Sequence, residues 1–230
     1  MDITKKDILV ATIKGGMGAI PFAGSFLTEY FGLIQDGVAS KRAETWAKML
    51  DDTLARIAKL ESDMERLADN EFFYSCVQTA TGGALKSFQD EKRVLFANAL
   101  YNSYGMADVA DEKKAIFISL IDRYTLLSIK VLSHFSEDRS NQYNNAVNVD
   151  SRNMVKTYIS PRQEYLYKAI GEYISELKNQ PEFAKTIFSQ LYNDGLIEFV
   201  DNMPAYPDRY LRKQTTAFGD QFIAFITAND

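Results

Sequence analysis

From Trp46 the chain carries a stripe that few folds can accommodate. Trp46, Leu50, Thr53, Ile57, Leu60, Met64 and Leu67 follow one another at spacings of 4, 3, 4, 3, 4 and 3, and Ala39 and Ala43 extend the series backwards. Alternating steps of three and four lay one apolar stripe along one face of a helix. Lys48, Asp51, Asp52, Arg56, Lys59, Glu61, Asp63, Glu65 and Arg66 fall off the stripe. Among them Glu44–Lys48 and Asp52–Arg56 have the i,i+4 spacing that supports a solvated helix face. A helix over 39–67 would span roughly 43 Å at 1.5 Å per residue, so it needs a partner of similar length. Met49 and Leu54 widen the stripe beyond a narrow seam, which favours an antiparallel hairpin or bundle within the chain over an intermolecular coiled coil. In the second arrangement Trp46, Leu50, Ile57, Leu60, Met64 and Leu67 form an assembly seam.

The remaining composition is that of a folded protein: 230 residues, 46% hydrophobic and 25% charged. A single Cys and a single His exclude a disulfide framework and a Cys/His zinc site. No cofactor or metal is expected, and a reducing, cytoplasmic location fits. With 26 basic against 31 acidic residues the net charge is −5, so no overall field draws the chain to nucleic acid or anionic lipid.

Before the stripe lies an uncharged stretch from Gly15 to Thr28, with Gly15, Gly16, Gly18 and Gly24 and with Pro21. The six apolar residues before it, Ile8 to Ile13, are too few for a secretion signal. The stretch also falls short of the ~20 residues that cross a bilayer as a helix. Small residues recur every four positions, first Gly15, Ala19 and Ala23, then Gly24, Thr28 and Gly32, a pattern that lets helix backbones approach closely. Two readings stand: close packing in a core, or interfacial membrane contact through Phe22, Phe26 and Phe31. In the second, the chain sits at the periphery of the inner membrane. Gly-Gly-Met-Gly lacks the Gly-Lys-Ser/Thr of a phosphate-binding loop.

Further on, Phe72, Phe73, Cys76, Val77 and Ala80 keep helical spacing. Gly82-Gly83 is expected to interrupt that helix, which resumes with Val94, Leu95, Asn98, Ala99 and Asn102 and closes at Gly105. Residues 115–135 are apolar nearly all round and predict one central core helix. Lys113, Lys114, Asp122, Arg123 and Lys130 exclude a clean membrane span there. His134, near its C-terminal end, suits a structural cation. Cys76 among aromatics reads as a small buried hydrophobe. Adjacent carboxylates such as Asp51-Asp52 point about 100° apart on a helix and do not converge on a substrate or metal. There is no Gly-Xaa-Ser-Xaa-Gly elbow and no His-Glu-Xaa-Xaa-His helix. Catalysis is not expected.

Residues 136–153 are polar and asparagine-rich and predict a loop or linker. Ser160-Pro161-Arg162-Gln163 then marks a helix start, continued by Leu166, Ala169, Ile170, Tyr173, Ile174 and Leu177. A second helix follows Pro181 and ends at Asn193-Asp194-Gly195. Leu196 to Val200 and Tyr210 to Gln214 predict a strand pair, and Thr215 or Thr216 caps a last helix. Helix, helix, strand, turn, strand, helix approximates winged-helix order. If this module read DNA, Lys185, Gln190 and Asn193 would face the groove, and Arg209, Arg212 and Lys213 the phosphates. Its 4 basic against 7 acidic residues from 181 onward argue for protein contact instead.

Ile20-Pro21 after the glycine-rich start, Glu91-Lys92-Arg93 before Phe96-Ala97-Asn98-Ala99-Leu100 and Asn102, and Leu191-Tyr192-Asn193-Asp194-Gly195-Leu196-Ile197 with Thr216-Ala217-Phe218-Gly219 and Phe222 resemble bacterial proteins of the abortive-infection alpha type. The resemblance implies a phage-defence-associated protein and transfers no functional residue.

The expected fold is mainly α, with a helical bundle over 1–140, a polar linker over 141–158 and a small winged-helix-like domain over 159–230. The expected function is non-enzymatic, through self-association or a protein partner. Nucleic acid is the less favoured partner and a DNA-binding transcriptional regulator the alternative.

Overall fold

The computed structural model describes residues 37–60, 70–138, 170–171, 173–198 and 213–228. The chain is mainly helical, and no strand occurs among the described residues. Helices α1 (Val38–Leu60), α2 (Glu71–Lys86), α3 (Asp90–Gly105), α4 (Asp111–Arg123), α5 (Leu126–Phe135), α6 (Pro181–Asn193) and α7 (Ala217–Ile226) follow in order, with a 3-10 turn at Ser175–Leu177 before α6. The chain divides into two compact units. One holds the chain through Arg123 together with Phe225 onward, and the other runs from Tyr124 to Ala224.

In the first unit α1 packs against α2 and α3, and α4 packs against α2 and α3. Ala43, Trp46, Ala47, Leu50, Leu54 and Ile57 are buried inside this unit, so the stripe meets helices of its own chain there. Thr53 is buried among them, its hydroxyl donating to Met49 O at 2.8 Å. The Trp46 indole N–H donates to Thr81 Oγ1 at 3.1 Å, which satisfies the one polar atom that a buried Trp brings into a core. Leu60 departs from the expectation: it is 56% exposed and takes no part in the packed face. Met64 and Leu67 lie outside the described residues, as do Gly15, Gly16, Gly18, Phe22, Phe26 and Phe31.

Two interruptions fall elsewhere than expected. Helix α2 runs through Gly82-Gly83 without a break. A Cβ at Gly83 would lie 2.3 Å from Cζ of the buried Phe96 ring, so this glycine is a contact point between α2 and α3. The sequence pattern suggested a break because glycine costs a helix about 1 kcal/mol; here close packing offsets that. Conversely, the continuous helix expected over 115–135 is two helices parted at Tyr124-Thr125. Thr125 accepts a hydrogen bond from Ser128 N at 3.1 Å and caps α5, and a Thr in an apolar run is a cap signal that hydrophobic periodicity alone does not register.

In the second unit α5 packs on α6, with Phe135 and Phe188 edge to face at 5.2 Å. Pro181 opens α6, and Gly195, at φ +73°, follows its end in the left-handed region that glycine adopts without cost. Thr216 Oγ1 accepts from Gly219 N at 3.0 Å and caps α7. Most of the expected strand pair lies outside the described residues, which hold a single antiparallel bridge, Ile197 to Thr215. Here Glu198 N donates to Gln214 O and Gln214 N to Phe135 O, both at 2.8 Å. The Gln214 amide is thus committed to the end of α5 and not to a strand ladder. Residues 199–212 and the linker over 141–158 lie outside the described residues.

Ile57 and Leu60 are both members of the seven-residue pattern, yet one is fully buried and the other exposed. Ile57→Asp is expected to cost about 4 kcal/mol or more, because it strands a carboxylate in the core. Leu60→Asp should stay within about 0.5 kcal/mol of wild type. Urea unfolding followed by circular dichroism measures both; equal losses would place the two residues in one seam.

Candidate functional site

The corner between α2 and α3 is built around a buried cation. Arg93, in the first turns of α3, is 2% exposed, and each part of its guanidinium is occupied. Nε donates to Ala84 O at 3.2 Å, Nη2 to Ser87 O at 2.6 Å, and Nη1 pairs with the Asp90 carboxylate. Carbonyls at a helix C-terminus have no intrahelical donor, and the planar fork of an arginine reaches several of them at once. Ser87 closes the turn from the other side. Its N–H donates to Gly83 O at 3.1 Å, and its hydroxyl accepts from Gln89 N at 3.2 Å. The turn is thereby fixed at both ends, and at its centre Phe88 is 77% exposed.

Lysines stand on both sides of Phe88 in sequence. Lys86 lies 3.7 Å from the Asp122 carboxylate, and Lys92 donates to Asp122 O at 2.8 Å. Burial pulls the Lys92 ammonium below its ordinary pKa, against the opposing pull of Asp122. Both lysines are therefore tied to Asp122 at the end of α4. On α3 and α4, Val94 and Ile116 are further large apolar side chains left exposed.

Other polar groups are buried inside this unit. Cys76 is a buried free thiol whose pKa burial pushes up to about 12, with Asp111 adding to the rise and Lys114 and Ser103 opposing it. A thiol held neutral at physiological pH is not a nucleophile. Lys114 is buried, 3.3 Å from Asp111 and 5.8 Å above the Phe72 ring. Arg56 lies 4.1 Å over the Tyr101 ring, a cation–π contact that holds α1 to α3. The ring of His134 in the second unit lies 5.6 Å from Phe135 and 5.3 Å from Tyr173. Among the described residues no group of three or more His, Cys, Asp or Glu converges to hold a metal ion. No helix among them is long and apolar enough to cross a membrane.

Of the residues proposed for DNA contact, the structure describes four. Lys185 and Asn193 are exposed on α6 and Gln190 is half-buried. Lys213 is spent on Asp220 at 2.6 Å, and hydrogen bonds from Lys213 and Thr215 hold the Asp220 carboxyl below its usual pKa despite the opposing effect of burial. Arg209 and Arg212 lie outside the described residues. Comparison with protein-family models, with curated proteins and with solved structures gives no match.

Phe88 was absent from the sequence reading. It stands alone between polar residues, Ser87 and Gln89, and belongs to no periodic series. The available signal was Arg93, a cation at a core-facing position of α3, which requires carbonyl or carboxylate partners nearby. Removing it should loosen the corner: Arg93→Ala is expected to lose about 2–4 kcal/mol, with Arg93→Lys recovering only part, since an ammonium cannot reproduce the fork. Thermal and urea unfolding of both variants checks this, and full recovery by Lys would show that charge alone matters.

Proposed function

We propose that the chain is a non-enzymatic protein-contact module, and that the α2–α3 corner with Phe88 is the contact. The observation that carries this reading is a large aromatic ring held in solvent by a turn that the buried Arg93 immobilises. Interface hot spots are rigid aromatic side chains, because little conformational entropy remains to be lost on binding. An exposed Phe on a fixed turn meets that requirement, while the lysines on either side, tied to Asp122, supply a polar rim. The resemblance to abortive-infection proteins supports a setting in bacterial phage defence, where the module would act in the cytoplasm by binding a partner chain.

The contact reading is checked by comparing wild type with Phe88→Asp, a change on an exposed side chain that should leave the unfolding midpoint unaltered. Tagged wild type recovered from host cells is expected to bring down a defined partner, and the variant to lose it. A variant of wild-type stability that retains the same partner would show that the corner is not the contact. Wild type recovered alone would remove the module reading altogether.

A further inference from the structure

The α2–α3 corner lies at the end of the first unit where α1 begins. Arg56 of α1 stands 4.1 Å over the ring of Tyr101, late in α3, while Trp46, earlier in α1, reaches Thr81, near the corner end of α2. Helix α1 therefore runs away from the corner. Its first residue, Val38, precedes Trp46 by roughly 12 Å of helix, and Thr81 precedes Phe88 by about 10 Å, so Val38 stands at about the level of the corner. On the same side of α3 the surface is open. Val94 precedes Tyr101 by about two helical turns and so shares the face that Arg56 covers farther down. It is 43% exposed, and Phe88 at the corner is 77% exposed.

The chain enters α1 through Gly37, whose φ of +109° ends the helix there and turns the preceding chain off the α1 axis. Just before it in sequence, among residues outside those described, Phe26, Leu27, Tyr30, Phe31 and Ile34 have the spacing of one apolar helix face, with Glu29 as the only charge from 26 to 34. We propose that the Phe88–Val94 face is a docking site for this chain's own segment 26–34, which competes there with the partner. Reach favours this occupant: from Gly37, Ile34 lies about 10 Å and Phe31 about 20 Å away in extended chain. Chemistry favours it too, since exposed Phe and Val take apolar side chains, and the segment brings five. The segment is also tethered, so its docking is intramolecular and a partner must displace it. Docked, it covers Phe88; released, it leaves the ring open. The proposal rests on the contact reading of Phe88 only for what the segment competes with.

Cross-linking within the full-length chain tests the docking with no partner present. Tyr30→Cys is combined with Gln89→Cys, a position whose side chain makes no capping hydrogen bond to α3 and whose replacement leaves Phe88 and Val94 in place. Cys76, buried and neutral, is left unaltered. In dilute protein, glutathione disulfide is expected to close a disulfide between positions 30 and 89 of one chain, mapped by mass spectrometry. Adding Phe88→Ser/Val94→Ser keeps the tether and both thiols but removes the face. Closure should then slow roughly tenfold or more, normalised to the reaction of the position-89 thiol alone with the same reagent. Both serine positions are exposed in wild type, and an unaltered unfolding midpoint checks that the variant keeps its fold. Closure at an unchanged rate would reflect the tether alone and overturn the proposal. A disulfide found only between chains, or none at all, would overturn it as well. Partner loss in Phe88→Asp without closure would keep the contact and remove the docking; closure with the partner retained would do the reverse.

Discussion

The guanidinium of Arg93 is the interaction on which the first unit turns. A buried cation is costly in a helical core unless it is paired and hydrogen-bonded, and here each nitrogen of the guanidinium has a partner, in the main chain that ends α2 or in the carboxylate that begins α3. The same group that must be satisfied therefore sets the angle at which the chain reverses. That reversal places Gly83 against Phe96, and the tight approach of α2 and α3 leaves a face on which α1 buries Trp46, Leu50 and Ile57.

From this corner the polar chemistry of the unit can be followed outward. Buried donors are spent on structure: the Trp46 indole on Thr81, Arg93 on the end of α2, and Asn102 on the end of α7. Cys76 is held as a neutral thiol by burial. The large apolar side chains that the described residues of this unit leave exposed are Leu60, Phe88, Val94 and Ile116. The second unit follows the same logic with different groups. Tyr124 is fully buried and donates to the Asp194 carboxylate, and Lys130 reaches Glu176 at 2.7 Å. That exposed pair, aided by Ser175, holds the Glu176 carboxyl down at about 2. Its small contribution is therefore present above the ordinary carboxylate pKa of 4.5 and fades as pH falls toward 2.

Helices were legible in the sequence wherever a periodic stripe coincided with a cap: α1 from its repeating apolar positions, α6 from Pro181 and Asn193-Asp194-Gly195, and α7 from Thr216. Errors arose where one residue type has two physical uses. Gly83 resembles a helix breaker but provides space for Phe96, and Thr125 resembles a tolerated polar residue in a core helix but ends one helix and caps the next. Leu60 fits the stripe in sequence yet stands exposed, because periodicity fixes a face and not how far along a helix its partner extends. The candidate site was not legible. Arg93 and Phe88 acquire meaning only when the end of α2 and the start of α3 meet, and Asn102 finds Phe225 and Thr227 more than 120 positions away, beyond the reach of local pattern.

The central claim, that Arg93 makes the α2–α3 corner as rigid as the core it joins, is open to native-state hydrogen exchange. The amides of Ser87 and Gln89, bound to Gly83 O and to the Ser87 hydroxyl, should exchange as slowly as amides within α2 and α3, and Arg93→Ala should accelerate them selectively. Exchange of these two amides at the rate of an unfolded chain in the wild-type protein would contradict the account, since Phe88 would then be carried by a mobile loop and not by a fixed corner.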